Sequence, residues 1–322
     1  MIDVPVVLAG YGPVGREYVE LVRRHRARWR DTYGADLHVV AVRGRQSQVR
    51  VDGAVPSRGQ WDPAGEIAEL LAGARVLAQA VPSDGSDQPA LDALQALQQG
   101  AHVVTATKSH LLTHWRKLDE AARLAGRSVR ISGATGAAMP AGDLARSVLR
   151  GFDVRAVQGC PNGTATFVLD RIAAGHGLAG AVVEAQRRGI AEADPTADLS
   201  GKDAATKLRL ITGLLWGWDP ADVAVAAEPI REPLPPVPEG HRLRQVASAQ
   251  REEPGLVRVE LRAEPAASTF GALLGPEKAI SYDCGEAGTV AVSGGRSSPR
   301  GAALAMIKDT LGAVLEATTG FH

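Results

Sequence analysis

The N-terminal residues place a glycine-rich turn between an apolar strand and a helix. Residues 4–9 read as a buried strand, and Gly10, Gly12 and Gly15 follow in the spacing G-x-G-x-x-G before apolar residues that recur at helical intervals. In such a unit the first glycine permits a tight turn, the second lets a pyrophosphate approach the backbone, and the third allows close packing of helix and strand. The pattern predicts a dinucleotide-binding unit, and a glycine turn without a ligand is the alternative.

The alternation of strands and helices continues to about residue 134. Strands are predicted at 37–42, 76–81, 102–105 and 129–131, with helices at 67–71, 90–99 and 111–124. This order favours an α/β fold with a parallel, doubly wound sheet.

After residue 134 the pattern changes, and we place a domain boundary there. A helix to residue 149 and strands at 154–157, 256–263, 279–282 and 289–292 indicate a second sheet, and residues 229–238 form a proline-rich connector. Ser298 and Pro299 are typical N-cap and first-turn residues of a final helix that runs to about residue 317.

Length and composition limit the class of protein. The chain has 322 residues, 45% of them hydrophobic, which is enough for two domains with sizeable cores. A formal net charge of zero and the lack of a long apolar segment argue against nucleic-acid or membrane partners. Cys160 and Cys284 are the only cysteines, as expected of a reducing compartment. We therefore expect a cytoplasmic protein that acts on a small molecule.

Residues 191–207 concentrate charge in a chain that has only six lysines. Asp203 and Lys207 are spaced i,i+4 and share a helix face, while Glu192, Asp194 and Asp198 lie on the preceding loop. Such a cluster suits a zwitterionic substrate, whose ammonium needs carboxylates and whose reacting oxygen needs a proton donor. In the alternative interpretation, Asp203 is part of a capping box with Ser200, Asp194 and Asp198 are turn residues, and the Asp–Lys pair is solvated.

The end of the second predicted strand bears on the cofactor. An acidic residue is expected there if a ribose 2′-hydroxyl is bound, but Arg43 and Arg45 occupy the segment. Because a guanidinium suits a 2′-phosphate, we predict a preference for NADP(H), with NAD(H) as the alternative. Arg43 is the stronger candidate, and Arg45 is either a second ligand or a solvated loop residue.

Taken together, four segments resemble those of homoserine dehydrogenases. They are the glycine loop, residues 103–108 (VVTATK), residues 159–164 (GCPNGT) and residues 191–207. The resemblance covers nearly the whole chain, and its most specific part is Glu192-x-Asp194-Pro195 followed by Asp198 and Gly201-x-Asp203-Ala-Ala-x-Lys207.

The resemblance implies a reaction and a domain arrangement. The family interconverts aspartate 4-semialdehyde and homoserine with NAD(P)H, using a Rossmann-type domain and an α+β substrate domain that also forms a homodimer. Residues 1–134 with 299–322 would form the nucleotide-binding domain, to which the final helix returns. Residues 135–298 would form the substrate and dimerisation domain.

The same resemblance assigns roles to residues of the site. Lys207 and Asp203 would lie at the reacting oxygen with Lys207 as the proton donor, and Lys108 would lie near the nicotinamide as the alternative donor. Glu192 and Asp198 would hold the substrate ammonium or an ordered water. Gly163 and Thr164 would meet the substrate carboxylate. Cofactor contacts are expected at Gly10, Gly12, Pro13, Val14, Gly15, Ala80, Val81, Thr105, Lys108, Gly163 and Gly295, besides Arg43 and Arg45.

Three positions depart from the family's usual pattern. Ser132 replaces a glutamate that helps to hold a monovalent cation, Na⁺ or K⁺, together with backbone carbonyls that would here be those of Thr135, Ala137 and Met139. A hydroxyl is a poorer ligand than a carboxylate for a hard cation. Thr107 replaces an asparagine and Ile190 replaces a frequent aromatic residue.

These departures keep alternative functions open beside a homoserine dehydrogenase. One is a related oxidoreductase that acts on another amino-acid aldehyde or alcohol. Another is a non-catalytic NADP-binding sensor, against which the retention of Lys108, Asp203 and Lys207 argues, because a binding module needs no proton donor.

Overall fold

The computed structural model describes residues 1–316 and divides the chain into two compact units. Among these residues, unit 1 comprises 1–137 and 298–316, and unit 2 comprises Ala138–Ser297. The predicted divisions at residues 134 and 298 lie within three residues of these boundaries. The predicted end of the last helix, near residue 317, lies outside the described residues.

Unit 1 alternates strands and helices along the chain. Its elements are β1 (Ile2–Ala9), α1 (Pro13–Tyr33), β2 (Ala35–Arg43), β3 (Ser47–Arg50), β4 (Asp62–Pro63), α2 (Ile67–Leu71), β5 (Val76–Gln79), α3 (Gln88–Gln98), β6 (His102–Thr105), α4 (Ser109–Thr113), α5 (Trp115–Ala125), β7 (Val129–Arg130) and α6 (Ser132–Thr135). The predicted single helix at 111–124 is wrong, because α4 and α5 are separated at His114.

The sheet of unit 1 has seven strands in the order β4-β3-β2-β1-β5-β6-β7. Strands β2, β1, β5, β6 and β7 pair in parallel, which confirms the predicted doubly wound arrangement, while β3 and β4 extend one edge as antiparallel strands. The strand order reverses between β1 and β5, and ligands of open α/β sheets bind at the carboxyl ends of the strands at such a point. The glycine loop follows β1 at this position.

Unit 2 contains a largely antiparallel sheet and several helices. Its elements are α7 (Ala141–Asp143) with a π-helical turn at Leu144–Val148, β8 (Ala156–Cys160), α8 (Gly163–Ala173), α9 (Leu178–Arg187), α10 (Thr196–Leu199), α11 (Lys202–Trp216), β9 (Ala224–Ala227), β10 (His241–Gln250), β11 (Leu256–Pro265), β12 (Ala279–Asp283) and β13 (Thr289–Ser293). The sheet order is β13-β12-β8-β10-β11-β9, and only the β11–β9 pair is parallel.

The final helix, α12 (Pro299–Leu315), belongs to unit 1. Ala303, Met306 and Ile307 join the apolar cluster formed by the parallel strands and α1. Buried hydroxyl groups of Tyr18 on α1 and Thr310 on α12 lie 3.0 Å apart. The predicted return of the C-terminal helix to the nucleotide-binding domain is confirmed.

Sequence reasoning missed several elements of unit 2. It did not identify α8, α9 or the central strand β10, whose residues 243–247 are all buried. A strand buried on both faces shows little alternation of polar and apolar residues, and Arg244 and Gln245 make this one read as polar. The predicted connector at residues 229–238 contains neither helix nor strand, as expected.

The structure describes the state of the two cysteines. Both cysteines are buried and free, and burial raises the pKa of the Cys160 thiol to about 12, so that this thiol is unreactive near neutral pH.

Within residues 1–316, every helix is too short or too polar to cross a membrane.

One buried side chain in unit 1 lacks the partners that a polar group normally has. The imidazole of His110 on α4 is 1% exposed, and neither of its nitrogens has a hydrogen-bond partner among the described residues. Burial, assisted by the charge of His114, lowers the pKa of His110 to about 4 from its usual value of 6.5. The folded protein therefore holds this imidazole in its neutral form.

We predict that His110 makes the protein sensitive to acid. Between pH 6.5 and 4 the unfolded chain binds a proton that the folded chain does not, so stability falls as the pH is lowered through this range. The loss at pH 5 should be about 2 kcal/mol, and His110→Phe should remove it. Urea unfolding at pH 7 and pH 5 measures the difference. The exposed His176, changed to Phe, serves as the control, and an equal acid loss in wild type and His110→Phe would contradict the prediction.

Candidate active site

The three glycines of the first loop meet different physical requirements. A side chain on Gly10 would overlap the backbone of Ala80, and one on Gly15 would overlap the carbonyl of Gly10. Gly12, in contrast, has no heavy atom within 4 Å of the position of a Cβ. Gly12 is thus the residue whose backbone a pyrophosphate would approach, and α1 begins directly after it. Pro13 and Val14 form the first turn of this helix.

The loops after β5 and β6 are joined by threonine hydroxyl groups. The buried hydroxyl of Thr107 donates to the carbonyl of Val81 at 2.8 Å and accepts from the N–H of the same residue at 3.1 Å. Thr105 accepts from the N–H of Thr107, and the N–H of Lys108 donates to the hydroxyl of Ser83. Thr107, which replaces the expected asparagine, therefore fixes the loops that carry Val81 and Lys108.

The predicted 2′-phosphate ligands are placed differently from one another. Arg43 ends β2, and its guanidinium donates to the carbonyl of Gly65 at 2.6 Å and to the side chain of Gln48 at 3.2 Å. Arg45 is 89% exposed and lies 3.9 Å from the carboxylate of Asp84. Arg43 is thus held in a fixed position, while Arg45 extends into solvent.

Sequence reasoning missed a third arginine near the glycine loop. The guanidinium of Arg58 lies 4.3 Å from the ring centre of Trp61 and 5.6 Å from that of Tyr11, and it donates to the carbonyl of Tyr11 at 3.4 Å. Tyr11 stands between Gly10 and Gly12, so these contacts bring Arg58 beside the loop. In the sequence, the only indication of this arrangement is Trp61, three positions after Arg58.

In unit 2, Asn162 connects the two carboxylates of the predicted polar site. It is the N-cap of α8 and is 5% exposed, and its side-chain oxygen accepts from the N–H of Ala165. Its amide nitrogen donates to Asp198 at 2.6 Å and to Asp203 at 2.9 Å. Asn162 lies within the GCPNGT segment, but its amide was not identified as a site group from sequence.

Lys207 lies next to this pair of carboxylates. Its ammonium donates to Asp203 at 2.6 Å and to the carbonyl of Pro161 at 2.9 Å, and both charged side chains are 13% exposed. The pair is therefore neither a solvated surface ion pair nor a fully buried one. An ammonium in this position can polarise a carbonyl oxygen and transfer a proton to it.

The alternative interpretation of Asp203 as a helix cap is wrong. Helix α11 begins at Lys202 without a side-chain cap, and Gly201 adopts the left-handed conformation with φ of 77°. A Cβ on Gly201 would lie 2.8 Å from a methyl group of Val259. Asp203 instead lies on the first turn of α11 and accepts hydrogen bonds from Asn162 and Lys207. For Asp194 the turn interpretation holds, since its carboxylate accepts from the N–H of Thr196.

A third ammonium group was missed by sequence reasoning. Lys278 is 1% exposed and directly precedes Ala279, which pairs with Cys160 at the end of β8. This pairing brings Lys278 beside Pro161 and Asn162. Burial, followed in importance by the charge of Lys207, lowers the pKa of Lys278 to about 8, while Asp203 opposes this shift. The scarcity of lysine in the chain was the one available signal.

The structure brings together only some of the remaining residues predicted to bind the substrate. Gly163 begins α8 where a Cβ would lie 2.5 Å from the carbonyl of Pro276, and the hydroxyl of Thr164 donates to the carbonyl of Ile190 at 3.1 Å. Ile190 packs by its side chain against the core around α8 and α9. Glu192 is exposed on the loop after α9, and the contact described for it is made by its backbone carbonyl with Gln186.

Gly295, a predicted cofactor contact, and the carbonyls predicted to bind a monovalent cation belong to chain segments near the unit boundary. Gly295 follows β13 with φ of 67°, and a Cβ there would lie 2.6 Å from the backbone nitrogen of Met139, so it packs within unit 2. Of the residues expected to supply carbonyls to a monovalent cation, Thr135 and Ala137 lie in unit 1 and Met139 lies in unit 2.

Comparisons with known proteins cover both units of the chain. The family profile described as homoserine dehydrogenase matches residues 140–311, and the profile described as homoserine dehydrogenase, NAD binding domain, matches residues 10–132. An NAD(+)-dependent homoserine dehydrogenase from Pseudomonas canavaninivorans is 30% identical over 237 residues, which are 67% of each chain. The homoserine dehydrogenase of Corynebacterium glutamicum is 30% identical over 212 residues, 66% of this chain and 47% of that protein.

A solved structure extends the likeness to the whole fold. A hyperthermophilic archaeal homoserine dehydrogenase in complex with NADPH matches with a TM-score of 0.84 over 99% of both chains, at 22% identity. At that identity the likeness shows the fold alone. The aligned region spans two thirds of the Pseudomonas relative and about half of the Corynebacterium relative. Since the two profiles match most of both units, this chain belongs to the homoserine dehydrogenase family of NAD(P)-dependent oxidoreductases.

Proposed function

We propose that this protein interconverts aspartate 4-semialdehyde and homoserine with NADP(H). The observation that carries the proposal is the shielded cluster of Asn162, Asp198, Asp203 and Lys207 in unit 2. It supplies a proton donor and two carboxylates within one hydrogen-bonded group. A family member that had become a nucleotide sensor would not need to keep this cluster.

Lys207 would act as the general acid. When bound, the reduced nicotinamide supplies a hydride to the aldehyde carbon, and negative charge develops on the aldehyde oxygen. The ammonium of Lys207 stabilises that charge and gives the oxygen a proton, which produces the alcohol. Asp203, 2.6 Å from the ammonium, holds Lys207 in position for the transfer. In the reverse reaction, neutral Lys207 takes the proton from the alcohol.

The amino-acid part of the substrate would be recognised by the surrounding groups. The N-terminus of the eleven-residue helix α8, at Gly163 and Thr164, suits a carboxylate because its N–H groups and the helix dipole favour negative charge. Asp198 suits the substrate ammonium, and Glu192 on the exposed loop would assist it. Asn162 would position both Asp198 and Asp203 through the two protons of its amide.

A related amino-acid aldehyde is the second candidate substrate. Lys278 adds a buried cation beside the cluster, and Ile190 occupies the position of a frequent aromatic residue. Both features would alter the pocket without removing the proton donor. NADPH oxidation with aspartate 4-semialdehyde and a panel of other amino-acid aldehydes distinguishes the two. Assembly into a homodimer stays a prediction from the family resemblance.

We infer a preference for NADP(H) from the cations near the glycine loop. Arg43 is fixed at the end of β2, and Arg58 is fixed over Tyr11 and Trp61. Arg45, two residues after Arg43, extends into solvent. Guanidinium groups so placed would form charge-assisted hydrogen bonds with a 2′-phosphate. The name of the Pseudomonas relative specifies NAD(+), and paired measurements with NADPH and NADH distinguish the two cofactors in this chain.

The first prediction from this proposal concerns turnover. Changing Lys207 to Ala should lower kcat by about 10²-fold or more, because the general acid is lost. The exposed Lys202 on the same helix provides the matched control, and Lys202→Ala should keep wild-type turnover. Steady-state rates with aspartate 4-semialdehyde and NADPH test both variants. Near wild-type kcat in Lys207→Ala would remove Lys207 from the proposed mechanism.

The second prediction concerns cofactor choice. Arg58→Gln and Arg43→Gln should each raise the KM for NADPH by about 10-fold or more and leave that for NADH nearly unchanged, since one charged hydrogen bond to phosphate is lost. Arg28→Gln, at an exposed position on α1, is the control. If NADPH and NADH were affected equally, these arginines would have a structural role instead.

The third prediction concerns the buried ammonium of Lys278. Its pKa is near 8 in the folded protein and near 10.5 in the unfolded chain, so the unfolded chain holds the extra proton between these values. Stability should therefore rise with pH, by about 2 kcal/mol from pH 7.5 to 9.5. Lys278→Met should abolish this rise, and the exposed Lys117→Met should retain it. Urea unfolding, followed by tryptophan fluorescence at several pH values, measures how the free energy of unfolding changes with pH. An unchanged pH dependence in Lys278→Met would show that Lys278 does not cause the rise.

A further inference from the structure

Three polar side chains meet where α6 begins. The N–H of Ser132 donates to one carboxylate oxygen of Asp309 at 2.9 Å, and the Ser132 hydroxyl donates to the other at 2.8 Å. The ammonium of Lys308 donates to the Ser132 hydroxyl at 2.8 Å and lies 3.3 Å from Asp309. Ser132 and Asp309 are 4% and 1% exposed, so the carboxylate is shielded from water.

This arrangement does not fit the monovalent cation that the family resemblance implies near Ser132. The hydroxyl oxygen already accepts a hydrogen bond from the ammonium of Lys308, and the hydroxyl itself donates to Asp309. A Na⁺ or K⁺ ion bound by this oxygen would lie close to the ammonium, and the two like charges would repel each other. In addition, the family's carboxylate ligand is absent at this position.

The following loop is held by groups of the protein itself. The N–H groups of Gly136 and Ala137 both donate to the carbonyl of Ser132, at 3.1 and 3.0 Å. Ala137 adopts a left-handed conformation with φ of 52°, which a residue with a side chain rarely takes without support from its surroundings. The carboxylate of Asp309 anchors the start of this turn through Ser132.

We propose that the ammonium of Lys308 takes the place of the free monovalent cation, as a positive charge attached to the chain. The buried carboxylate of Asp309 needs a nearby positive charge, and Lys308 supplies it from the adjacent position on α12. In this chain a hydroxyl and a lysine thus stand where the family resemblance implies a carboxylate and a bound ion. The stability of the 131–137 loop, and of the protein, does not depend on Na⁺ or K⁺.

The first test needs no variant. Thermal unfolding of the wild-type protein is measured in NaCl, KCl and choline chloride at equal ionic strength, after exchange into a buffer free of sodium and potassium. The expected result is the same Tm in all three salts. A saturable rise of Tm with NaCl or KCl over choline chloride would overturn the proposal.

The second test removes the attached charge. Lys308→Ala should lower the Tm by about 3 °C or more, because a charge-assisted hydrogen bond to the buried group is lost. Ethylammonium chloride should restore part of this loss in Lys308→Ala and none in wild type, at the same ionic strength as choline chloride. Lys117→Ala, at an exposed position on α5, is the matched control. A Tm for Lys308→Ala equal to that of the control would overturn the proposal, whatever the substrate of the enzyme.

Discussion

The arrangement of the Asn162, Asp198, Asp203 and Lys207 cluster, which we propose is catalytic, depends on one amide that holds two carboxylates together. Asp198 and Asp203 would repel each other in a region shielded from water, and the two protons of the Asn162 amide offset this repulsion by donating to one carboxylate each. Because Asn162 also caps α8, its side chain has little freedom to turn away. The position of Asp203, and through it that of Lys207, follows from this capping contact.

Local patterns predicted the parts of the protein whose structure is set by short segments. The glycine spacing predicted the tight turn between β1 and α1, because Gly10 and Gly15 are required by direct backbone contacts. The charge-rich segment 191–207 singled out Asp203 and Lys207, whose side chains are hydrogen-bonded in the structure. The capping interpretation failed there because α11 begins after Gly201, a position where a side chain would overlap Val259, which is distant in sequence.

Groups recruited by long-range pairing could not be predicted in the same way. Lys278 reaches the cluster only through the pairing of β12 with β8, and Arg58 reaches the glycine loop only through its contacts with Tyr11 and Trp61. Central strand β10 lacks the alternation that would reveal it. The scarcity of lysine is informative in retrospect, since the side chains of Lys207, Lys278 and Lys308, three of the six lysines, belong to polar arrangements described above.

The position of α12 has a consequence for the order in which the protein folds during synthesis. Residues 299–315 are translated after the whole of unit 2, yet they complete the apolar core of unit 1. During synthesis the first 137 residues are therefore made long before the helix that covers part of their apolar surface. The nascent chain therefore passes through a period in which chaperone binding or self-association competes with completion of the nucleotide-binding unit.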